Sequence, residues 1–312
     1  IAADPALDEA LAAGRRRGTL TTPQGSAPAD VGEPDPWGRY RVEGISTPPF
    51  ESWFTATEPP ASSEVGALPS HVRVAVIGAG FGGLGAGIKL LDAGIRDFAI
   101  LERGASVGGT WRDNTYPGCA CDVPSHLYSF SFAPNPRWSR SFSGQPEIRA
   151  YLEDVADRPG LRARIYFDTA VTGAVWQESE AHWLITTARG QLTADVLISA
   201  GGPLSEPSMP DIPGLDAFPG AVFHSARWDH DTDLTGKRIA VVGTGASAIQ
   251  CVPRVAQYAQ HLYVFQRTPS SVDVRNNQPT DPSWWDTLQP GWQRERRNNF
   301  GTGFARRLRA AG

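Results

Sequence analysis

Two glycine-rich turns carry the residues whose types and spacing prescribe a chemistry. Gly78-Ala79-Gly80-Phe81-Gly82-Gly83 fits G-x-G-x-x-G, and Gly243-Thr244-Gly245-Ala246-Ser247-Ala248 repeats the device with Ala in the last glycine's place. Glycines there let the backbone turn tightly and approach a pyrophosphate, whose charge is met by N–H groups at the start of a following helix. Glu102 stands 24 residues after Gly78, where a carboxylate can accept both ribose hydroxyl hydrogens. Arg267, followed by Thr268, stands 24 residues after Gly243. A carboxylate at that place would repel a 2′-phosphate, whereas a guanidinium grips one bidentately, helped by the Thr268 hydroxyl. The first cradle therefore suits an adenine ribose with free hydroxyls and the second suits NADPH. Two dinucleotides in one chain imply electron transfer between them. FAD in the first and NADPH in the second is the economical assignment, because a flavin takes up a hydride. The competing reading of Arg267 is a plain surface strand end.

The elements that must position these turns are legible around them. Val72 to Ile77 is a short β-branched apolar run, Phe81 to Ala93 reads as a helix and Asp97 to Leu101 as a second buried strand, which makes a βαβ unit. Arg238–Val242, Ala246 to about Gln257 and Leu262–Phe265 make another, its first strand also read as buried. Alternating runs at Val171–Trp176, His182–Thr187 and Asp195–Ser199 predict a small antiparallel meander. The expected class is α/β, with two Rossmann-like dinucleotide-binding domains for FAD and NADP and the β-meander in the FAD domain. The expected division is an extension over 1–70, the FAD-binding domain over 71–205, a linker and NADP-binding domain over 206–280, and the start of a helical insertion over 281–312.

Composition bounds the function from outside. The chain has 312 residues, 29 basic and 33 acidic, a net charge of −4 that supplies no basic field for a nucleic-acid backbone. Residues 1–70 hold 10 Pro and 10 acidic residues against 5 Arg, too polar to offset ordering entropy, and read as a disordered or loosely docked extension. Trp37, Tyr40, Phe50, Trp53 and Phe54 within it could dock on a folded surface. No run approaches a membrane span and no secretory leader is present, so a soluble, cytoplasmic protein without stable membrane association is expected. Cys119, Cys121 and Cys251 build no disulfide framework, and with six scattered His they give no zinc spacing, so no metal is expected. Arg294, Arg296, Arg297, Arg306, Arg307 and Arg309 have the spacing of solvated helix faces.

Between the two turns, Phe218, Gly220, His224, Trp228 and Asp229 complete F-x-G-x-x-x-H-x-x-x-W-P/D. With 13 Phe, 33 Gly, 6 His and 10 Trp in the chain, the four fixed letters fall into register by chance in about one chain per thousand. The segment resembles the signature of the Baeyer–Villiger monooxygenases, class B flavoproteins. The sister N- and S-oxygenating monooxygenases carry Tyr or Phe where Trp228 stands. The resemblance runs from about residue 71 to about 290. By it, Gly108-Gly109-Thr110-Trp111 and Tyr116-Pro117-Gly118 resemble the flavin-contacting loop, and Asp122 matches the catalytic acid beside the flavin that orients an arginine. Tyr128 and Val171 fall where the family contacts FAD, Val171 through its backbone. Gly243, Thr244, Gly245, Ala246, Ser247, Ala248 and Gln250 match the NADP-phosphate loop. Phe218 and Trp228 would anchor a linker between the domains, with His224 either a hydrogen-bonded hinge or an orienter of that linker or the cofactor, not a general base. The family's chemistry is reduction of FAD by NADPH, addition of O2 to give a C4a-peroxyflavin, and attack of its anion on a ketone to yield an ester or lactone. The family's catalytic arginine lies beyond these residues, so the chain reads as a fragment that does not turn over efficiently alone.

Three rivals are weighed. Gly104-Ala105-Ser106-Val107-Gly108 fits the hydrolase pattern G-x-S-x-G but sits inside the flavin region. Cys119 and Cys121, one residue apart, are awkward partners for a redox disulfide. A truncated nucleotide-binding remnant would share both turns.

Overall fold

The computed structural model describes residues 66–270, 272 and 274–300. The acidic stretch up to residue 65, including Trp37, Tyr40, Phe50, Trp53 and Phe54, lies outside the described residues, as do Arg306, Arg307 and Arg309. Strand β1 (His71–Ile77) is built from Val72, Val74, Ala75 and Val76, all buried, as a strand covered on both faces requires. It passes through the first glycine turn into α1 (Phe81–Asp92), whose Leu84, Ile88 and Leu91 recur at helical spacing and are buried together. Gly87 lets that helix lie close to its neighbours: a Cβ there would sit 2.6 Å from Leu161 Cδ1 and 2.8 Å from Ile100 Cδ1. The helix stops where Gly94 adopts φ +77°, its N–H donating to Leu91 and that of Ile95 to Leu90, a left-handed closure that glycine permits. β2 (Phe98–Leu101) returns parallel to β1 and completes the expected unit.

The first sheet has six strands in the order β3-β2-β1-β6-β5-β4, with β3 (Ile165–Tyr166), β4 (Val171–Gln177), β5 (His182–Thr187) and β6 (Gly190–Ser199). Short α2 (Thr110–Asp113) and α3 (Gln145–Ala156) follow β2, and Ile148, Leu152 and Val155 of α3 join Trp138, Leu161 and the apolar face of α1 in the main core. The meander differs from expectation. Its third strand is ten residues long; Gly190–Ala194 pairs antiparallel with β5 while Thr193–Ser199 pairs parallel with β1. The antiparallel strands thus continue the parallel sheet, and polar Gln191 and Thr193 hid the start of β6 from a reading of alternation.

The second unit contains β7 (Arg238–Val242), α4 (Ala246–Val255) and β8 (His261–Phe265), with β7 and β8 parallel from Arg238↔His261 to Val242↔Phe265. The expectation of a buried strand here is corrected: Val242 is 60 % and Phe265 57 % exposed. A parallel pair is buried only when both faces are covered, and the burial pattern of β7 and β8 shows that this is not so here among the described residues. Residues 276–280 run antiparallel to 139–143, with Thr280 N–H donating to the Ser139 carbonyl at 2.8 Å and Ser141 N–H to that of Gln278 at 2.9 Å. Arg296 is exposed, as a solvated face requires, and its guanidinium lies 4.9 Å over the Trp284 ring. Trp284 in turn meets buried His126 edge-on at 4.4 Å, and burial, then Arg296, pushes that imidazole down to about 4.

Candidate functional site

The first glycine turn is shaped by contacts that leave no space for a side chain. Gly78 has φ +96°, and a Cβ on it would lie 2.9 Å from the Ala200 carbonyl oxygen. A Cβ on Gly83 would lie 1.7 Å from the Gly78 oxygen, so the start of α1 rests directly on the turn. Gly82 is nearly as close to Ala200, whereas Gly80 faces the backbone of Gly109. No side chain caps α1 at Gly80, which leaves its first N–H groups for an anion. Glu102, 3 % exposed, stands beneath the turn as its spacing predicts, but its bonds are not those predicted. Oε2 accepts from Ala79 N–H at 2.7 Å; Oε1 accepts from Gly104 N–H at 2.8 Å and from Arg112 Nη1 at 2.6 Å. A carboxylate has about four acceptor positions, so one remains, on Oε2, where two ribose bonds were expected.

The GGTW segment locks onto this turn. Gly108 (φ +120°) donates its N–H to the Ala79 carbonyl at 3.0 Å, and Gly109 (φ +51°) would place a Cβ 3.1 Å from Gly80 Cα. Thr110 begins α2; Trp111 is buried and donates from Nε1 to the Tyr128 hydroxyl at 3.0 Å, the two rings meeting edge to face at 5.5 Å. Burial raises the Tyr128 phenol above its usual range, so it stays protonated. Val171 is half-buried at the start of β4, and Asp122 is exposed in the loop before Pro124. The hydrolase and redox-disulfide rivals find no support here. Ser106 lies in a loop with no strand-to-helix elbow, its carbonyl accepting from Arg112 Nη1 at 2.6 Å. Cys119, Cys121 and Cys251 are free thiols pushed up by burial, Cys121 to about 11.

At the second cradle Gly243 has φ +102°, Gly245 precedes α4 without a side-chain cap, and neither glycine has an atom within 4 Å of a built Cβ. Ala246, Ser247 and Ala248 form the first turn of α4. Gln266 Nε2 donates to Thr244 Oγ1 at 3.1 Å, and Thr244 Oγ1 donates to the Thr268 carbonyl at 3.3 Å, which fixes the segment after β8 beside the turn. Arg267 is exposed there, its guanidinium without a partner among the described residues, and Thr268 is exposed next to it. Gln250 departs from expectation. Instead of facing a phosphate, its Nε2 donates to the Ala120 carbonyl at 2.9 Å, while its Oε1 accepts from Ala120 N–H at 3.1 Å and from the Tyr116 hydroxyl at 3.0 Å. Burial holds that phenol above its usual range, with Ser247 acting in the opposite direction.

The linker motif resolves into local roles. His224 Nδ1 accepts from Ala226 N–H at 3.0 Å and caps the single turn Ser225–Arg227. Asp229 accepts from Asp231 N–H at 3.0 Å and Thr232 Oγ1 at 2.5 Å, and these bonds, the hydroxyl first, hold its carboxyl low. Trp228 meets Phe223 edge to face at 5.2 Å, whereas Phe218 is 57 % exposed, its ring folded over Gly220, where a Cβ would sit 2.6 Å from Cε1. Anchoring by Phe218 is thus not observed among the described residues. What sequence reasoning missed is an ionic chain from cradle to linker. Arg112 Nε donates to Asp113 Oδ1 at 2.7 Å, and Arg103 Nη2 and Arg227 Nη1 approach Oδ2 at 3.3 and 3.9 Å. Burial is the largest single influence and works against the charge of both Arg112 and Asp113, but the bonds and charges of Glu102, Arg103 and Arg227 added to their mutual pairing outweigh it, raising the arginine and lowering the carboxyl. Arg103 and Arg227 also donate to the Ser205 carbonyl at 2.6 and 3.2 Å.

Residues 75–296 match the pyridine nucleotide-disulphide oxidoreductase family, and residues 1–52 match a domain family of unknown function. A Baeyer-Villiger monooxygenase of Streptomyces coelicolor is 66 % identical over 205 residues, covering 66 % of this chain and 40 % of its own length. A cyclohexanone monooxygenase from Rhodococcus sp. Phi1 bound to NADP+ superposes with a TM-score of 0.67 at 39 % identity, over 72 % of this chain and 43 % of that one. An oxidized steroid monooxygenase bound to NADP gives 0.66 at 42 % identity, over 73 % and 44 %. The chain spans about two fifths of the length of the curated relatives it matches. Among the described residues no helix is long and apolar enough to cross a membrane.

Proposed function

The chain belongs to the pyridine nucleotide-disulphide oxidoreductase family, and on that footing we propose that it is the N-terminal, nucleotide-binding part of a cytoplasmic NADPH-dependent Baeyer–Villiger monooxygenase. It would hold FAD at the first cradle and NADPH at the second, in the service of inserting one oxygen atom of O2 beside a ketone carbonyl. One observation carries the reading: two uncapped helix starts follow positive-φ glycines, and the same interval beyond them ends in a buried carboxylate at one and, at the other, an exposed guanidinium without a partner among the described residues.

The residues present fit both groups. Gly78 and Gly83 form a cradle that a Cβ would fill, and the open N–H groups at the start of α1 match a pyrophosphate. Oε2 of Glu102 keeps one acceptor position for a ribose hydroxyl, and the Val171 backbone would border the adenine. Trp111 and Tyr128, held by their hydrogen bond, form an apolar wall that excludes water. Asp122 would orient the partner arginine. At the second cradle Gly243 to Ala248 would seat the pyrophosphate, and Arg267 with Thr268 would grip the 2′-phosphate. Bound FAD supplies the redox centre that accepts a hydride and then reacts with O2. The His224-capped turn and the Arg227 bonds hold the linker between the cradles.

The test is anaerobic titration of the FAD-loaded protein with NADPH and with NADH. Bleaching of the flavin by NADPH at the lower concentration is expected; preference for NADH, or failure to retain FAD, refutes the assignment. Trp228, where the amine- and sulfide-oxygenating group carries Tyr or Phe, favours ketones, and mass analysis of aerobic products from ketone, amine and sulfide separates the two.

A further inference from the structure

We infer that Gln250 is a positioning residue that couples the two nucleotide sites: its side chain ties the helix that seats the second nucleotide to the loop bordering the first. The inference rests on the reading of the two cradles given above. Gln250 lies on α4, whose uncapped start is the phosphate seat of the second cradle. Its amide closes on one peptide unit from both ends, donating to the Ala120 carbonyl at 2.9 Å and accepting from the Ala120 N–H at 3.1 Å, while the Tyr116 hydroxyl donates to the same Oε1 at 3.0 Å. The backbones are equally close. Gly118, at φ +85°, would place a Cβ 2.7 Å from the Gln250 carbonyl oxygen and 3.2 Å from Arg254 Cγ.

The loop that Gln250 grips is held on its other side by the first domain. Gln145 N–H donates to the Cys119 carbonyl at 2.9 Å, and the Gln145 side chain donates to the carbonyl of Trp111, which forms the wall of the first site. One residue before Tyr116, Thr115 Oγ1 meets His230 Nε2 at 2.7 Å, so the linker reaches the same loop. A shift of α4 toward a bound phosphate therefore pulls on Ala120, and through it on Trp111 and the segment leading to Asp122. A paired site of this kind makes occupancy of one cradle raise the affinity of the other, by the same factor in both directions.

The experiment measures NADP+ affinity in FAD-free and FAD-loaded protein, with amide hydrogen exchange of the 116–121 segment alongside. Unaltered protein is expected to bind NADP+ about tenfold more tightly when FAD is bound. Gln250→Ala should bring that ratio close to one, with NADP+ affinity in the FAD-free protein and FAD affinity alone both within about twofold of the unaltered values. Exchange at Ala120 N–H should accelerate about tenfold, as the loss of a side-chain bond predicts. Tyr116→Phe, which removes one bond and leaves α4 untouched, should lower the ratio by a smaller step, and it serves if Gln250→Ala does not fold. Equal loss of NADP+ affinity with and without FAD would make Gln250 a direct nucleotide ligand and overturn the inference. An unchanged ratio would reduce the contact to packing and overturn it too. A protein that binds neither cofactor refutes the functional reading instead, and the exchange rate in that protein still decides the clamp: unchanged exchange at Ala120 overturns it.

Discussion

Gly83→Ala in the first turn of α1 and Gly245→Ala at the residue before α4 are the same chemical change, and the structure predicts different outcomes. At Gly83 the new methyl would lie 1.7 Å from the Gly78 carbonyl oxygen and 2.9 Å from its carbon, with Val76 Cγ1 at 3.7 Å behind. An oxygen–carbon contact needs a little over 3 Å, so α1 or the turn must move by about 1.5 Å against a core in which Leu84 and Ile88 are fully buried. Neither atom belongs to a flexible side chain. Overpacking of this kind costs about 1–3 kcal/mol, and a rigid backbone partner puts Gly83→Ala at about 3 kcal/mol. For a protein of this size that lowers the melting temperature by about 6–12 °C. At Gly245 nothing lies within 4 Å of the added methyl, so stability should stay within about 0.5 kcal/mol. The methyl would instead stand where the backbone must approach a pyrophosphate, and NADP+ affinity should fall about tenfold or more while FAD is retained. Urea melts with FAD fluorescence and NADP+ titration read both. Equal stability of the two variants, or loss of FAD from Gly245→Ala, would refute the reasoning.

Arg267→Ala should weaken NADPH about 10- to 100-fold, the value of a charge-assisted bond, leave NADH nearly unchanged and leave FAD bound; loss of flavin instead would mean that the sites are exchanged. Asp113 governs part of the acid stability. Burial opposes its ionisation, but Arg112 and Arg103 hold the folded carboxyl below its unfolded value of about 3.9. Its contribution is therefore complete above that value and is lost as pH falls through the lower folded one. Asp113→Asn should lower stability at neutral pH and flatten this acid limb, which urea melts across pH 2 to 6 would show; an unchanged slope contradicts the ion-pair assignment.

What a sequence discloses depends on how far apart the interacting residues lie in the chain. The first strand, turn and helix were legible because Val72 to Gly83 is continuous and each residue type answers a local geometric demand. Glu102 was placed correctly because a βαβ unit has a nearly fixed length, but its three bonds were not foreseeable: Arg112, which takes one, follows a loop with no period. Gln250 bonds to residues 130 and 134 positions away, a separation that leaves no local pattern, and the local match to a phosphate loop pointed elsewhere. His224 was recognisable by type, yet only the fold shows its imidazole capping the turn two residues on. Exposure of Val242 and Phe265 was unreadable because hydrophobicity reports what a strand can bury and not what covers it.

The position of β6 has a consequence for synthesis. β1 and β2 can pair as soon as Leu101 has left the ribosome, but the other edge of β1 finds its partner only in residues 193–199. At about 5–20 residues per second, the intervening chain keeps an edge of Val72, Val74 and Val76 bare for about 5–20 s. That interval is long against strand pairing in microseconds. Yield in a cell should therefore depend on chaperone supply during elongation more than on the stability of the finished sheet.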